Sequence, residues 1–204
     1  MRRNSLWPKA APKTTEGAGC PVDFQLVMRR ILEAFERERL HYALIGGFAL
    51  GVWGVTRATV DIDFLTLRDE MPKVDGVMSD LGYACRHRSE NVSQYVSSES
   101  LFGEVDFLHA FRKPAMRMLA DAVAKPVFQG EFSVRVLIPE DLVGLKVQAM
   151  ANNPLRKTRD LADIEELLNL HGRNLDWARM LDYFALFEMT GLFEELREKL
   201  VAPD

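Results

Sequence analysis

The sequence predicts an α+β fold in which helices flank a mixed β-sheet and an all-helical segment follows. Three observations carry this. Short apolar runs of strand type alternate with helical periodicity between residues 42 and 138. From Pro139 onward the periodicity is helical throughout. No internal repeat or low-complexity segment interrupts either pattern. The 204 residues suit one domain with a helical appendage. At 48% hydrophobic and 27% charged residues the composition is that of globular proteins, which excludes disordered and fibrous classes.

The elements follow in order. Residues 1–22 hold Pro8, Pro12, Pro21, Gly17 and Gly19 and read as a mobile leader. Asp23 is placed to cap a helix whose apolar face is Phe24, Val27, Ile31, Leu32 and Phe35, ending near Leu40. Tyr42–Ile45 is a strand that stops at Gly46-Gly47. Phe48–Val55 reads as a short buried helix. Val60–Leu67 is a second strand, whose alternation sets Asp61 and Asp63 on one face and Ile62 and Phe64 on the other. Asp69–Gly82 is a helix closed by glycine. Tyr83–Arg88 and Val92–Ser97 are weaker strands, and Gly103–His109 is a clearer one with Glu104 and Asp106 on one face. Lys113–Lys125 reads as a helix starting near Pro114. Val127–Gln129 and Phe132–Ile138 are short strands. Helices then cover Pro139–Met150, Leu155–His171, Leu175–Phe187 and Leu192–Val201, with breaks at Asn174 and Gly191. The stripe Trp177, Leu181, Phe184 and Phe187 is expected in the core or at a dimer contact. The expected division is a leader over 1–22, a core over 23–150 and a helical segment over 151–204.

Charge and cysteine usage narrow the function classes. The formal net charge is −4. The first 22 residues contain four Lys or Arg and one Glu, so the remainder carries −7. This is no general electrostatic sponge for nucleic acid. Arg86-His87-Arg88, Arg112-Lys113 and Arg156-Lys157-Arg159 could still guide RNA phosphates if they ring one cleft. Two cysteines, Cys20 and Cys85, form no disulfide framework and fit a reducing cytoplasm. The four histidines lack zinc-ligand spacing. No uncharged stretch is long enough to span a bilayer, and no apolar run follows the N-terminal charges as in a signal peptide.

One constellation carries chemistry. Gly46-Gly47 follows a strand and opens a helix. Arg57-Ala-Thr59 precedes Asp61-Ile-Asp63 on the next strand, and Asp106 stands within a later one. Two carboxylates two apart on a strand point the same way, roughly 6.5 Å apart. A third from a neighbouring strand would crowd them unless a cation intervened. Oxygen-only donors select hard ions such as Mg²⁺ or Mn²⁺. A glycine pair either lets backbone N–H groups approach phosphate or merely makes a tight connection. Arg57 could bind triphosphate or pair with an acidic neighbour. Glu104 rivals Asp106 on the same face.

The ordered pattern resembles the nucleotidyltransferase superfamily that shares its fold with DNA polymerase β. It reads Ile45-Gly46-Gly47, thirteen residues, Asp61-Ile62-Asp63, and later Asp106. A second stretch, Glu140-Asp141-Leu142 with Lys146 and then Arg159-Asp160-Leu161-Ala162-Asp163-Ile164, resembles the bacterial AbiEii/AbiGii-type nucleotidyltransferases of toxin–antitoxin systems. The resemblance implies a metal-dependent enzyme that moves a nucleoside monophosphate from an NTP to an acceptor hydroxyl and releases pyrophosphate. It implies catalytic and Mg²⁺- or Mn²⁺-binding roles for Asp61, Asp63 and Asp106. It implies nucleotide binding by Gly46, Gly47, Arg57, Thr59, Lys146 and Asp160. The implied acceptor is RNA such as the tRNA 3′ end, or a small molecule as in antibiotic-modifying members. An antitoxin protein is an implied partner. A non-catalytic nucleotide-binding or interaction module is the competing class. Gly47 stands where many superfamily members have Ser, and the chain is shorter than the toxins.

Overall fold

The computed structural model describes residues 23–99 and 103–201, so the predicted leader lies outside the described residues. Asp23 caps the first helix, α1 (Phe24–Glu38), its Oδ1 accepting the Leu26 N–H at 3.0 Å. The helix buries Val27, Ile31, Leu32 and Phe35 and ends at Arg39, which takes the left-handed conformation. Then follow β1 (Tyr42–Ile45), α2 (Gly46–Val52), β2 (Asp61–Leu67), a 3₁₀ turn over 68–70 and α3 (Met71–Asp80). Next are β3 (Tyr83–Arg88), β4 (Val92–Ser97), β5 (Glu104–Ala110), α4 (Lys113–Asp121), β6 (Val123–Val127) and β7 (Phe132–Val136). Four helices close the chain: α5 (Pro139–Asn152), α6 (Lys157–His171), α7 (Trp177–Leu186) and α8 (Thr190–Val201). Among the described residues no helix is long and apolar enough to cross a membrane.

The fold class is the expected one, a mixed sheet with flanking helices and a helical C-terminal segment. Several boundaries differ for local reasons. The predicted helix over 113–125 stops at Asp121. Ala122 is already extended, and Val123–Val127 pairs antiparallel with β7. Pro126 is tolerated there because β6 is the outermost strand. The strand expected at Val127–Gln129 gives way to a turn in which Phe128 and Gln129 both have positive φ. Gly191 lies inside α8, and the break falls earlier, at left-handed Glu188. The α2 helix starts at Gly46, not Phe48, and ends three residues sooner than expected. In α7 the buried face is Met180, Tyr183 and Phe184, while Leu181 is exposed, so the predicted stripe is rotated.

The chain divides into two compact units, one built from residues 23–49 and 58–137, the other from 50–57 and 138–201. The first contains all seven strands, in the order β3-β4-β5-β2-β1-β7-β6. β2 pairs parallel with β5 and antiparallel with β1; β4 pairs antiparallel with β3 and β5. One sheet face is apolar. Phe35 of α1 meets Phe64 and Phe107 there, at ring separations of 5.3 and 6.1 Å, and Tyr95 stands edge-on to Phe107. This face also buries His109. Its Nδ1 bonds the Glu90 carbonyl at 3.0 Å, so Nδ1 is the donor, and Nε2 accepts from the Ser93 hydroxyl at 2.9 Å.

The helical unit is joined by a buried ion pair. Asp141 on α5 is fully buried and accepts two bonds of 2.7 Å from Arg179 on α7 and one of 2.6 Å from Tyr183. Gly144, one turn along α5, leaves room for the Tyr183 ring; a Cβ there would lie 2.6 Å from it. Phe193 of α8 packs on Phe184 and Trp177.

Arg179→Met would strand the Asp141 carboxylate, and a loss of about 3–5 kcal/mol is expected in denaturant unfolding. A midpoint indistinguishable from wild type would contradict the role given to this pair. Burial holds the His109 pKa below its ordinary value, with the Glu90 carbonyl opposing. The unfolded chain then binds the proton first, so stability falls as pH drops through about 6.5 toward the lowered native pKa. The melting temperature of the wild type should fall more steeply over this window than that of His109→Gln; equal slopes would remove His109 as the cause.

Candidate active site

The face of β2 and β5 opposite the aromatic core carries the expected carboxylates. In the parallel β2–β5 ladder, Asp63 is directly opposite Asp106 and Asp61 is opposite Glu104. All four residues are half-buried, while the alternating Ile62, Phe64, Val105 and Phe107 are buried. Two acidic positions therefore sit side by side at the inter-strand spacing of about 4.8 Å, twice over.

The rivals Glu104 and Asp106 differ in their neighbours. Arg86 on β3 holds Glu104 through two hydrogen bonds of 3.1 and 3.2 Å. Asp106 instead accepts at Oδ2 from the Gln94 side-chain amide, at 3.2 Å. Glu104 is thus matched by a cation, and Asp106 by a neutral donor.

The glycine pair is explained by close approach. Gly46 has φ +67° and presses its α-carbon against Asp63, so that a Cβ would overlap the carboxylate. A Cβ at Gly47 would lie 2.7 Å from both Cβ and Oγ1 of Thr59. Thr59 donates its hydroxyl to the Asp61 carbonyl at 3.1 Å, tying down the entry to β2. Gly46, Gly47, Thr59, Asp61, Asp63 and Asp106 all belong to the sheet unit, and the glycines fix where Asp63 stands.

The remaining predicted residues belong to the helical unit. Lys146 of α5 bonds Asp160 at 3.2 Å and Asp163 at 2.5 Å, both on α6. Arg57 pairs with Asp163, and Arg156 donates to Asp160 at 2.9 Å. Asp160 is fully buried, so its pair with Arg156 is no surface bridge of little worth. Asp163 acts here as an ion-pair partner. Lys146 is shared between the two carboxylates and joins them into one network.

Some of the arginines in the basic clusters are engaged as well. Arg88 makes a two-point ion pair with Asp75, which also accepts from the Tyr95 hydroxyl. The Arg88 contact holds the Asp75 carboxyl below the usual range. Arg68 pairs with Glu90 at 3.0 Å. Gln94 and the positioning use of Arg86 were not legible from the sequence. Only the register of β4 against β5 brings Gln94 to Asp106.

The donor chemistry of Asp61, Asp63 and Asp106 fits a hard divalent cation. All are carboxylates, they share one face, and two stand at the same register. Among the described residues no group of three or more His, Cys, Asp or Glu side chains is already gathered as a metal-binding cluster.

Residues 24–195 match the family described as "Uncharacterised nucleotidyltransferase". The chain belongs to this family. Its fold is shared by solved structures of low identity. The antibiotic-resistance factor ANT(2'')-Ia is 16% identical with a TM-score of 0.60, over 85% of this chain and 96% of that one. The lincosamide antibiotic adenylyltransferase LnuA, in its lincomycin-bound form, is 16% identical with a TM-score of 0.51, over 74% and 99%. An antigenic nucleotidyltransferase-like protein from Paracoccidioides brasiliensis is 14% identical with a TM-score of 0.53, over 87% and 95%. No curated protein matches.

In this nucleotidyltransferase, Gly46→Ala should cost about 2–4 kcal/mol, from left-handed strain plus overlap with Asp63. Chemical denaturation of Gly46→Ala beside Gly47→Ala checks this. A smaller loss at Gly46 than at Gly47 would refute the packing argument.

Proposed function

We propose that this nucleotidyltransferase moves a nucleoside monophosphate from an NTP to a hydroxyl of a small molecule. The acceptor oxygen forms its bond to the α-phosphorus, the bond to the β-phosphate bridge breaks, and pyrophosphate leaves. The observation that carries the reading is the aligned carboxylate face of β2 and β5, with Asp63 opposite Asp106. A bound Mg²⁺ or Mn²⁺ would supply charge neutralisation at the triphosphate and a lower pKa for the attacking hydroxyl. Asp61, Asp63 and Asp106 would hold it. Asp106 also stands ready to take the hydroxyl proton. Gly46 and Gly47 would offer backbone donors to phosphate oxygens, with Thr59 beside them. The part of Arg57, Lys146 and Asp160 in holding the nucleotide rests on the family resemblance, beside their ion network in the helical unit.

The choice of a small acceptor over RNA is supported by how several arginines of the sheet unit are used. Arg86 is matched by Glu104, Arg88 by Asp75 and Arg68 by Glu90. Paired arginines are poor phosphate guides. ANT(2'')-Ia and LnuA, both antibiotic-directed by name, share the fold over nearly their whole lengths. The second reading is the toxin type, with tRNA as acceptor and an antitoxin partner. Its support is the Lys146 and Arg159–Ile164 resemblance and the exposed Lys157 and Arg159. A reducing cytoplasm suits both, given the free, exposed Cys85.

Purified protein with α-labelled NTPs and Mg²⁺ would be offered hydroxyl-bearing antibiotics in one arm and total tRNA in another. Label is expected on a small molecule. Asp63→Ala should reduce transfer by about a hundredfold or more. Label on tRNA alone would favour the toxin reading, and equal transfer by Asp63→Ala would discard the assigned site.

A further inference from the structure

We propose that Gln94 is a positioning residue for Asp106, setting the direction of its carboxylate. The inference rests on the metal-dependent reading above and adds a residue to it. Gln94 is the register partner of Asp106 across the antiparallel β4–β5 ladder, and Asp106 is the register partner of Asp63 across the parallel β5–β2 ladder. The three side chains therefore form one transverse row on the sheet face.

The chemistry of the contact is specific. A carboxylate accepts only, so the end of Gln94 that meets Asp106 Oδ2 at 3.2 Å is its amide nitrogen. That donor restrains rotation of the carboxylate about its Cβ–Cγ bond. Gln94 is itself held firmly. Its chain neighbours Ser93 and Tyr95 are buried on the opposite face, where Ser93 bonds His109 and Tyr95 bonds Asp75. A twist of β4 that moved Gln94 would break both.

The two β5 carboxylates show why an amide stands here. Glu104 is held by the Arg86 guanidinium, and a cation in contact competes with any metal for the same charge. The Gln94 amide orients Asp106 without adding a positive charge. The hairpin of β3 and β4 thus treats the two acidic residues differently: Glu104 is held by a cation, and Asp106 is aimed by an amide. Groups that orient metal-holding carboxylates commonly affect metal affinity about 10–100-fold.

The test is binding of Mn²⁺ alone to the full chain, read from the electron paramagnetic resonance signal of the free ion. Gln94→Met keeps the length of the side chain and removes the donor. It should weaken Mn²⁺ binding about tenfold or more. Gln94→Glu keeps the shape and replaces the donor with an acceptor. It should not restore wild-type affinity in an orienting role, and it serves as the readout if the methionine variant fails to fold. Arg86→Gln removes the ion pair with Glu104 and should not weaken binding. Wild-type affinity in a folded Gln94→Met overturns the proposal, as does equal weakening in Arg86→Gln. Asp63→Ala separates the two readings. If it leaves Mn²⁺ binding unchanged, or if wild type binds no Mn²⁺, the metal reading itself fails. If Asp63→Ala abolishes binding and Gln94→Met does not change it, only the positioning role fails.

Discussion

The register between β2 and β5 is the constraint on which the site depends. In a sheet, a slip of one residue sends every side chain to the other face. Here a slip of β2 would carry Asp61 and Asp63 into the aromatic layer and lift Phe64 out of it, and a slip of β5 would do the same to Glu104, Asp106 and Phe107. Either change costs several kcal/mol, since unmatched buried carboxylates and exposed phenyl rings are both unfavourable. Phe35 of α1 contacts both phenylalanines at once. The core helix therefore guards an alignment whose chemical use lies on the far side of the sheet.

Electrostatics divide along the same lines. Positive side chains are spent on particular carboxylates in both units: Arg179 on Asp141, Lys146 on Asp160 and Asp163, Arg86 on Glu104. The buried pairs among these, Arg179 with Asp141 and Lys146 with Asp160 and Asp163, add little net stability against an apolar alternative, yet losing one partner is costly. They act as constraints on which helices can meet. The acidic surplus of the sequence is consequently not spread evenly over a solvated surface. Part of it is locked in pairs, and part is concentrated at Asp61, Asp63 and Asp106.

Much of this was readable from residue order. Alternation in Val60–Leu67 and Gly103–His109 set the carboxylates on the correct faces, because period-two patterning is local. The Asp23 cap and the strand at Tyr42–Ile45 were equally local. Partners were not. The Glu104 pairing with Arg86 and the Asp106 bond to Gln94 arise from strand register, which no local pattern encodes. Gly46-Gly47 reads either as an opening for phosphate or as a tight connection. The fold adds why both positions are glycine, the press of Asp63 and Thr59 against the turn. Lys113–Lys125 misled because helical propensity runs through Ala122, while the demand for a partner strand beside β7 ends the helix.

The two ends of the sheet have a consequence for assembly. One border strand, β6, carries Lys125 and Pro126, and proline cannot donate to a further ladder. The other, β3, is irregular between Cys85 and His87 and presents Arg86 and Arg88. Both borders are thus poor templates for strand addition. Copies of this chain are disfavoured from joining sheet to sheet, even at the concentrations reached in overexpression.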